Sequence, residues 1–452
     1  MDISHMAQFA GREKELEALE RLYSADGLRT CSVYGRSRTG TSGLVREFCK
    51  GKPAIIVRFP EGTLREMLES ICDSVTRYTS EDIPLLPADY DEAFSAIGAA
   101  CGGDRTVVVL DDAANADSLE FRKALGRFID GHIRDSDNML ILCGSPENAM
   151  VSMTERSPLK DRIKDAVVLR PLSFAESREL HGKMKDLDAY KCHLTVGGIP
   201  LYHLLMNKSD YETCVEKCFL GTYPRLCAEA ENIVRKSSVP YRYCSAILSE
   251  MAKGCGRPID LANDQGISRQ LCEVYLKKME SEGMIARVNP IANAPKKPVF
   301  TVKNPLLGFY HTVIRNNSDI VLADRTDFSD IAPEAGMFLE LRFRSICYGY
   351  LKENFDCKAV GGWWIAGEST NSINLAAVIE KDGSEYTLVC DCKFRKGKID
   401  TGALKNLKKR AEAVEADDKR LAMFSVSGFD GDLVKTAEKE GILLIGPKEL
   451  LN

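Results

Sequence analysis

The sequence predicts a multidomain α/β protein whose first part is a doubly wound parallel sheet. Five apolar runs alternate with amphipathic stretches through the first 170 residues, namely Cys31–Tyr34, Ala54–Phe59, Thr106–Leu110, Met139–Cys143 and Ala166–Leu169. Continuous apolar runs with helical connections indicate strands that are buried on both faces of a parallel sheet. An all-helical stretch and a second α/β pattern follow, so the 452 residues are expected to form several domains.

The composition is that of a folded protein without a general affinity for nucleic acid. Hydrophobic residues make up 44% of the chain and charged residues 28%, which excludes wholesale disorder, and the net charge is −5. The sequence has neither an apolar run of about eighteen residues nor a signal-peptide pattern, so we expect a cytoplasmic protein without a membrane partner. The 16 cysteines are scattered through apolar segments without a CxxC pair, which predicts reduced, buried thiols.

A glycine loop directly follows the first predicted strand. The stretch from Gly35 to Ser42 has the spacing G-x-x-x-x-G-[K]-[ST], with Thr41 at the lysine position. In such a loop the glycines, here Gly35 and Gly40, let backbone N–H groups surround phosphates, and the hydroxyl of Ser42 would hold magnesium. The pattern predicts a P-loop NTPase sheet that binds ATP or ADP with magnesium, weakly because the lysine is absent.

Two acidic residues end the third apolar run. Asp111 would orient magnesium and Asp112 would polarise the attacking water, although Asp112 is one methylene shorter than the usual glutamate. The other interpretation of these acids is a strand-to-loop turn. Ser145, which follows the fourth apolar run, would sense the γ-phosphate.

The middle of the chain predicts a helical lid and a winged helix-turn-helix. Helices at Tyr243–Lys253, Pro258–Asn263 and Ser268–Glu282 precede a hairpin of Met284–Val288 and residues 298–302. On the third helix, Leu271, Tyr275 and Met279 would face the core, and the opposite face would read a major groove; that face carries Arg269, Gln270, Glu273 and Lys277. Arg287, Lys296 and Lys297 in the wing would contact phosphates of double-stranded DNA. The alternative role is packing or dimerisation.

An ordered series of short motifs resembles the archaeal-type ATPase family of AAA-like and STAND P-loop NTPases. The motifs are the opening F-x-G-R-E-x-E-L at Phe9–Leu16, the glycine loop, the strand end Leu142–Ser145, the S-P-L-x-x-R at 157–162 and the G-G-I-P-x-Y at Gly197–Tyr202. The resemblance implies that Gly11 and Arg12 lie near the adenine. It also implies that Arg162 is a sensor or finger arginine, acting in its own subunit or in a neighbour of a homo-oligomer.

The last part of the chain resembles the PD-(D/E)xK restriction-endonuclease-like fold. The resemblance rests on a helix Glu340, on Asn374 where the family has Asp, on Asp391 and Lys393 at a strand end, and on the G-x-W-W at 361–364. It implies a second magnesium held by Glu340 and Asp391, with Lys393 supporting the attacking water. Apart from the resemblance, Glu368 is near enough in the sequence to be a substitute ligand. Because an amide carries no charge, Asn374 favours an inactive site. In the alternative interpretation, the acid and the lysine pair with each other in a structural domain.

The predicted domains are a P-loop NTPase domain at 1–170, a helical lid at 171–233, a winged helix at 234–310, a linker at 311–335 and a restriction-endonuclease-like domain at 336–452. Three functions fit this layout. The first is a nucleotide-binding switch with weak or absent hydrolysis, a pseudoenzyme with DNA association. The second is an active ATPase that uses Arg36 or Arg38 and is coupled to a metal-dependent DNA nuclease. The third is an interaction scaffold that needs no nucleotide.

Overall fold

The computed structural model describes residues 9–81, 86–102, 105–156, 158–288, 299–318, 326–363 and 373–450, without the side chains of Trp363 and Asn374. The chain divides into two compact units: the first comprises Met1–Leu180 with Gly198–Leu204, and the second comprises His181–Gly197 with Leu205–Asn452. The predictions made for Ser157, Lys296, Lys297, Trp364 and Glu368 lie outside the described residues.

The first unit contains the predicted parallel sheet. Its strands are β1 (Arg29–Gly35), β2 (Ala54–Arg58), β3 (Val107–Asp111), β4 (Met139–Gly144) and β5 (Asp165–Leu169). The spatial order is β2-β3-β4-β1-β5 and every pairing is parallel. The five predicted strands are therefore confirmed to within two residues. Because parallel strands end at one edge, Gly35, Asp111 and Gly144 all lie at the carboxyl edge of the sheet.

Helices cover both faces of this sheet. The helices of the first 235 residues are α1 (Glu13–Ser24), α2 (Thr41–Phe48), α3 (Leu64–Thr79), α4 (Tyr90–Ala100), α5 (Leu119–Phe128), α6 (Glu147–Thr154), α7 (Phe174–Arg178), α8 (Asp186–Val196), α9 (Pro200–Leu205), α10 (Tyr211–Val215) and α11 (Arg225–Arg235). Along β3, Val108 and Leu110 belong to one hydrophobic core, whereas Val107 and Val109 belong to another. This alternation explains why the predicted strands are apolar throughout.

The second unit includes the predicted winged helix. It is formed by α12 (Tyr241–Ala252), α13 (Pro258–Asp264) and α14 (Arg269–Ser281), followed by the antiparallel strands β6 (Ile285–Val288) and β7 (Val299–Val302). Ser268 caps α14, as predicted, since its Oγ accepts the backbone N–H of Leu271 at 3.2 Å. The all-helical segment 171–233 is shared between the two units rather than forming a compact body of its own.

The segment 311–335, predicted as a linker, has helical structure in its described part. The short helix α15 (Pro305–Phe309) continues into helical turns at Tyr310–Ile314 and Arg315–Asn317, and a further turn at Phe328–Asp330 precedes α16 (Ala332–Asn354). Asp327 caps the turn at Phe328–Asp330, because its carboxylate accepts the Ser329 N–H at 2.8 Å. A proline stands in the first turn of α16, a position that helices tolerate.

A separate mixed sheet completes the second unit. Its strands are β8 (Cys357–Trp363), β9 (Ile373–Lys381), β10 (Ser384–Lys393), β11 (Lys419–Ser425) and β12 (Leu443–Ile445), in the order β12-β11-β10-β9-β8. The helices α17 (Thr401–Ala411), α18 (Gly431–Glu440) and α19 (Pro447–Leu450) connect or follow the last strands. The sequence did not predict β8, because Gly361 and Gly362 are unusual within a strand. None of the helices in the described ranges has both the length and the apolar character of a membrane span.

Candidate nucleotide site and C-terminal polar site

Two glycines shape the loop between β1 and α2. Gly40 precedes α2 with a φ of 95°, in the left-handed region that side chains rarely adopt. A Cβ on Gly35 would lie 2.6 Å from the carbonyl oxygen of Leu169 and 2.7 Å from Thr39 Oγ1. Both positions therefore require glycine, and the loop has the close-packed backbone that the phosphate-binding pattern predicted.

Hydrogen bonds from buried side chains fix the backbone of the glycine loop between β1 and α2. Thr39 is fully buried and donates from Oγ1 to the carbonyl oxygen of Arg36 at 2.7 Å. The guanidinium of Arg12 donates to the carbonyl oxygens of Thr39 at 3.1 Å and Arg170 at 2.7 Å. Arg12, which the resemblance placed near the adenine, is only 4% exposed and braces the loop backbone. Gly11 has a φ of 67° and packs so closely that a Cβ would lie 2.4 Å from Glu176 Cβ.

Ser42 and Asp111 meet at the carboxyl edge of the sheet. Ser42 Oγ donates to Asp111 Oδ1 at 2.9 Å, although 69 residues separate them. The same oxygen accepts the Asp112 N–H at 3.0 Å and the Cys143 thiol at 2.8 Å. Burial and the Asp111 charge hold the pKa of the Cys143 thiol well above its usual range, so it remains a neutral donor. A hydroxyl and a carboxylate side by side fit the oxygen ligands that magnesium prefers.

The lysine position contributes no charge to this site. Thr41 begins α2 and is half-buried. Of the two loop arginines, Arg36 is half-buried and burial lowers its pKa, whereas Arg38 is exposed and has a left-handed φ of 68°. The loop itself carries two cations, Arg36 and Arg38, in the residues before Gly40.

Asp112 is engaged by a neighbouring strand. Arg58 ends β2, and its Nε lies 3.0 Å from Asp112 Oδ2. The hydrogen bond to Asp112 raises the pKa of Arg58. Asp112 also has a left-handed φ of 54°, which the short polar side chain of aspartate tolerates. Sequence analysis missed Arg58; the available signal was a charged residue at the end of an apolar strand.

Ser145 and Arg162 lie at opposite edges of the sheet. Ser145 directly follows β4, which pairs with both β1 and β3, so Ser145 shares the carboxyl edge with Ser42 and Asp111. The carbonyl oxygen of Arg162 instead accepts a bond from Thr30 Oγ1 at 2.6 Å, near the start of β1. The Arg162 side chain pairs with Asp130 at 2.7 Å. The structure therefore does not bring Arg162 to the glycine loop of its own chain, because the length of β1 separates them.

The predicted magnesium ligands of the C-terminal domain do not form a ligand cluster. Across the described ranges, no three His, Cys, Asp or Glu side chains gather as they would around a metal ion. Glu340 lies half-buried on α16, and Asp391 is buried on β10. Asp391 Oδ1 lies 3.0 Å from an amino group of Arg410, and Asp391 Oδ2 lies 3.4 Å from Lys393 Nζ. Two cations therefore compensate the negative charge of Asp391. Sequence analysis did not predict the contact with Arg410.

The core face of α14 differs from the prediction at two of three positions, whereas Arg269, Gln270 and Lys277 are exposed as predicted and Glu273 is half-buried. Its core residues are Cys272, Leu276 and Met279, whereas Leu271 is 39% exposed and Tyr275 is half-buried. The prediction is confirmed for Met279 and wrong for Leu271 and Tyr275, because the helix is rotated so that Cys272, a small apolar residue, faces the core. Arg269 pairs with Glu273 on the exposed face at 2.9 Å, which takes one cation from the predicted groove-reading surface.

Known proteins share the fold of this chain at low sequence identity. No protein-family model matches the chain. The uncharacterised protein MJECL04 of Methanocaldococcus jannaschii is 22% identical over 426 residues, which cover 91% of this chain and 93% of that protein. The structure of a Walker-type ATPase of Pyrococcus abyssi matches with a TM-score of 0.51 and 17% identity, over 67% of this chain and 95% of its own.

The second structural match is weaker. The Aeropyrum pernix Orc1 protein, solved in complex with DNA, matches with a TM-score of 0.37 and 13% identity, over 70% of this chain and 94% of its own. Similarity at that level assigns no function. The sheet order, the glycine loop and the Pyrococcus match together define a P-loop NTPase fold. The resemblance to archaeal-type ATPases is confirmed at the level of the fold.

Proposed function

We propose that this chain binds ATP or ADP with magnesium at the glycine loop and uses the nucleotide as a switch, with slow or absent hydrolysis. The contact between Ser42 Oγ and Asp111 Oδ1 at 2.9 Å carries the proposal, because these groups are placed to share a magnesium ion. Magnesium, when bound, would neutralise phosphate charge. Ser42 and Asp111 would hold it, while Gly35 and Gly40 leave room for the phosphates.

Two features of the site support weak hydrolysis. The absent lysine removes a charge-assisted contact, which costs about 1.5–3 kcal/mol of binding, or about ten- to a hundredfold in affinity. The pair between Arg58 and Asp112 directs the carboxylate toward β2. Both groups are partly exposed, so the pair contributes about 0–1 kcal/mol and biases Asp112 without locking it.

Calorimetric titration with magnesium and ATP or ADP tests the proposal. We expect micromolar binding to the wild-type protein and none to Asp111→Asn, because the amide keeps the shape of the side chain but removes the charge that would face magnesium. Asp130→Asn is the matched control, since Asp130 lies beside Arg162 at the opposite edge of the sheet. Failure of the wild-type protein to bind millimolar nucleotide would refute the proposal and favour the nucleotide-independent scaffold.

A nucleotide switch also requires two arrangements of the protein with different nucleotide affinities. If Arg162 contributes to hydrolysis, it must act on the nucleotide of a second copy, because its side chain lies at the far edge of its own sheet. The active ATPase coupled to a metal-dependent nuclease remains the alternative. It is disfavoured because Arg410 and Lys393 engage the carboxylate of Asp391.

Duplex DNA binding by the winged helix is a second candidate function. It is favoured by the exposed cations Lys277 and Lys278 on α14 and Arg287 on β6. We expect the double change Lys277→Glu and Lys278→Glu to weaken an electrophoretic shift of duplex DNA at low salt by at least about tenfold, since both contacts become repulsive. Lys448→Glu, on an exposed part of α19, should leave the shift unchanged. Equal retardation by both proteins would exclude the winged helix as the contact.

A further inference from the structure

The strongest concentration of positive charge in the C-terminal domain surrounds Asp391. Residues 393–410 contain eight lysines and arginines but a single acid, Asp400, in a chain whose net charge is −5. Arg395, Lys405 and Lys409 are exposed. Of the others, Lys408 is paired with Glu440 at 2.5 Å and Arg410 with Asp391 at 3.0 Å. Residues 393–410 therefore carry a net positive charge that Asp400, the acid within the segment, does not balance.

A pocket of about 490 Å³ opens within this basic segment, between the end of β10 and the first turn of α17. Lys393, Arg395, Lys405 and Asn406 line it together with the acids Asp391 and Asp400. Asp400 is the N-cap of α17, because its Oδ1 accepts the Ala403 N–H at 3.1 Å. At the start of α17 the pocket is lined by Gly402 and Ala403, so no large side chain fills it there.

The acid at the base of the pocket is already neutralised. Asp391 is only 4% exposed, and Arg410 and Lys393 lie against its two oxygens. Its Oδ2 accepts no hydrogen bond, since Lys393 Nζ at 3.4 Å makes only an ion pair. A divalent cation would have to displace Arg410 and would then meet the repulsion of Lys393 and Arg395. When Arg410 is included, the pocket has more positively charged than negatively charged side chains. The pocket is therefore suited to binding an anion.

We propose that this pocket binds phosphate groups of the duplex DNA backbone through its own side chains, without a divalent metal. Lysine and arginine are the usual contacts of DNA phosphates. The cations continue onto α17 between Lys405 and Arg410, a rise of about 7.5 Å along the helix. That length covers more than one phosphate of a DNA strand and exceeds what a single small anion would need. The pocket would therefore bind the DNA backbone at the position where a metal-dependent nuclease would bind its metal ion.

The test uses the full-length protein, treated with EDTA, and a short fluorescent duplex whose anisotropy reports binding. We expect the double change Arg395→Ala and Lys405→Ala to raise Kd at least about tenfold and to lower the slope of log K against log salt by about 2, the amount for two lost phosphate contacts. The double change Lys435→Ala and Lys439→Ala removes the same charge from exposed positions of α18 and should behave like the wild-type protein.

Two further readouts separate this pocket from the winged helix and from a metal site. Acetylation of lysines in the complex should show Lys393 and Lys405 protected by DNA, and Lys435 and Lys439 unprotected. At matched ionic strength, millimolar magnesium should not raise the affinity above that measured in EDTA, because magnesium only competes for the DNA phosphates. The proposal is overturned if the pocket lysines remain unprotected, if the pocket variant binds like the wild-type protein, or if binding requires the metal. These outcomes are independent of nucleotide binding at the glycine loop.

Discussion

Thr41→Lys should tighten magnesium–ATP binding by about ten- to a hundredfold. The change restores one charge-assisted contact to the phosphates, worth about 1.5–3 kcal/mol. Thr41 is half-buried at the first position of α2, directly after Gly40, where a lysine side chain can extend over the loop. The restored charge acts most strongly on the transferring phosphoryl group, so ATP turnover should rise together with affinity.

Calorimetry and a phosphate-release assay measure the two effects, with Thr41→Met as the control of similar length without the charge. Adding Arg58→Ala to Thr41→Lys should raise turnover further, because Asp112 loses the partner that lies 3.0 Å away. Unchanged affinity in Thr41→Lys would mean that Arg36 or Arg38 already occupies the place of the lysine. In that case the active-ATPase alternative gains support.

Gly198→Ala should destabilise the first unit severely, by about 3 kcal/mol or more, through overpacking. Gly198 is buried, and a Cβ there would lie 1.9 Å from the carbonyl oxygen of Leu172 and 2.5 Å from its nitrogen. These are backbone atoms, and the Leu172 N–H donates to the Gly198 carbonyl oxygen at 2.7 Å, so neither side can move without breaking that bond. The clash explains in physical terms why glycine occupies this position of the G-G-I-P segment.

Thermal or urea unfolding of the full-length protein measures the loss of stability. Gly131→Ala is the matched control, since Gly131 is exposed in a helical turn and its added Cβ would meet no atom within 4 Å. A Gly198→Ala protein as stable as the wild type would show that the contact between residues 172 and 198 is not maintained in solution.

The strands and the glycine loop were predictable because their signals are local. A strand buried on both faces needs a continuous apolar run, and the turn before α2 needs glycine at Gly35 and Gly40, so both appear directly in the order of residues. The same holds for the Ser268 cap of α14, whose acceptor is three residues from its donor. The winged helix followed from helix lengths and a hairpin, but two of the three predicted core residues of α14 were misassigned by one position because a short amphipathic pattern tolerates that rotation.

Residues far apart in the chain decided the chemistry of both sites. The pairs between Arg58 and Asp112 and between Arg410 and Asp391 join strands and helices whose proximity depends on sheet order. The position of Arg162 at the amino edge follows from the parallel pairing of β1 with β5, which no local pattern specifies. Local sequence therefore determined the elements and the phosphate loop of this protein. Tertiary packing decided which charges distant in the chain meet, because the partner of such a side chain depends on where the backbone carries it.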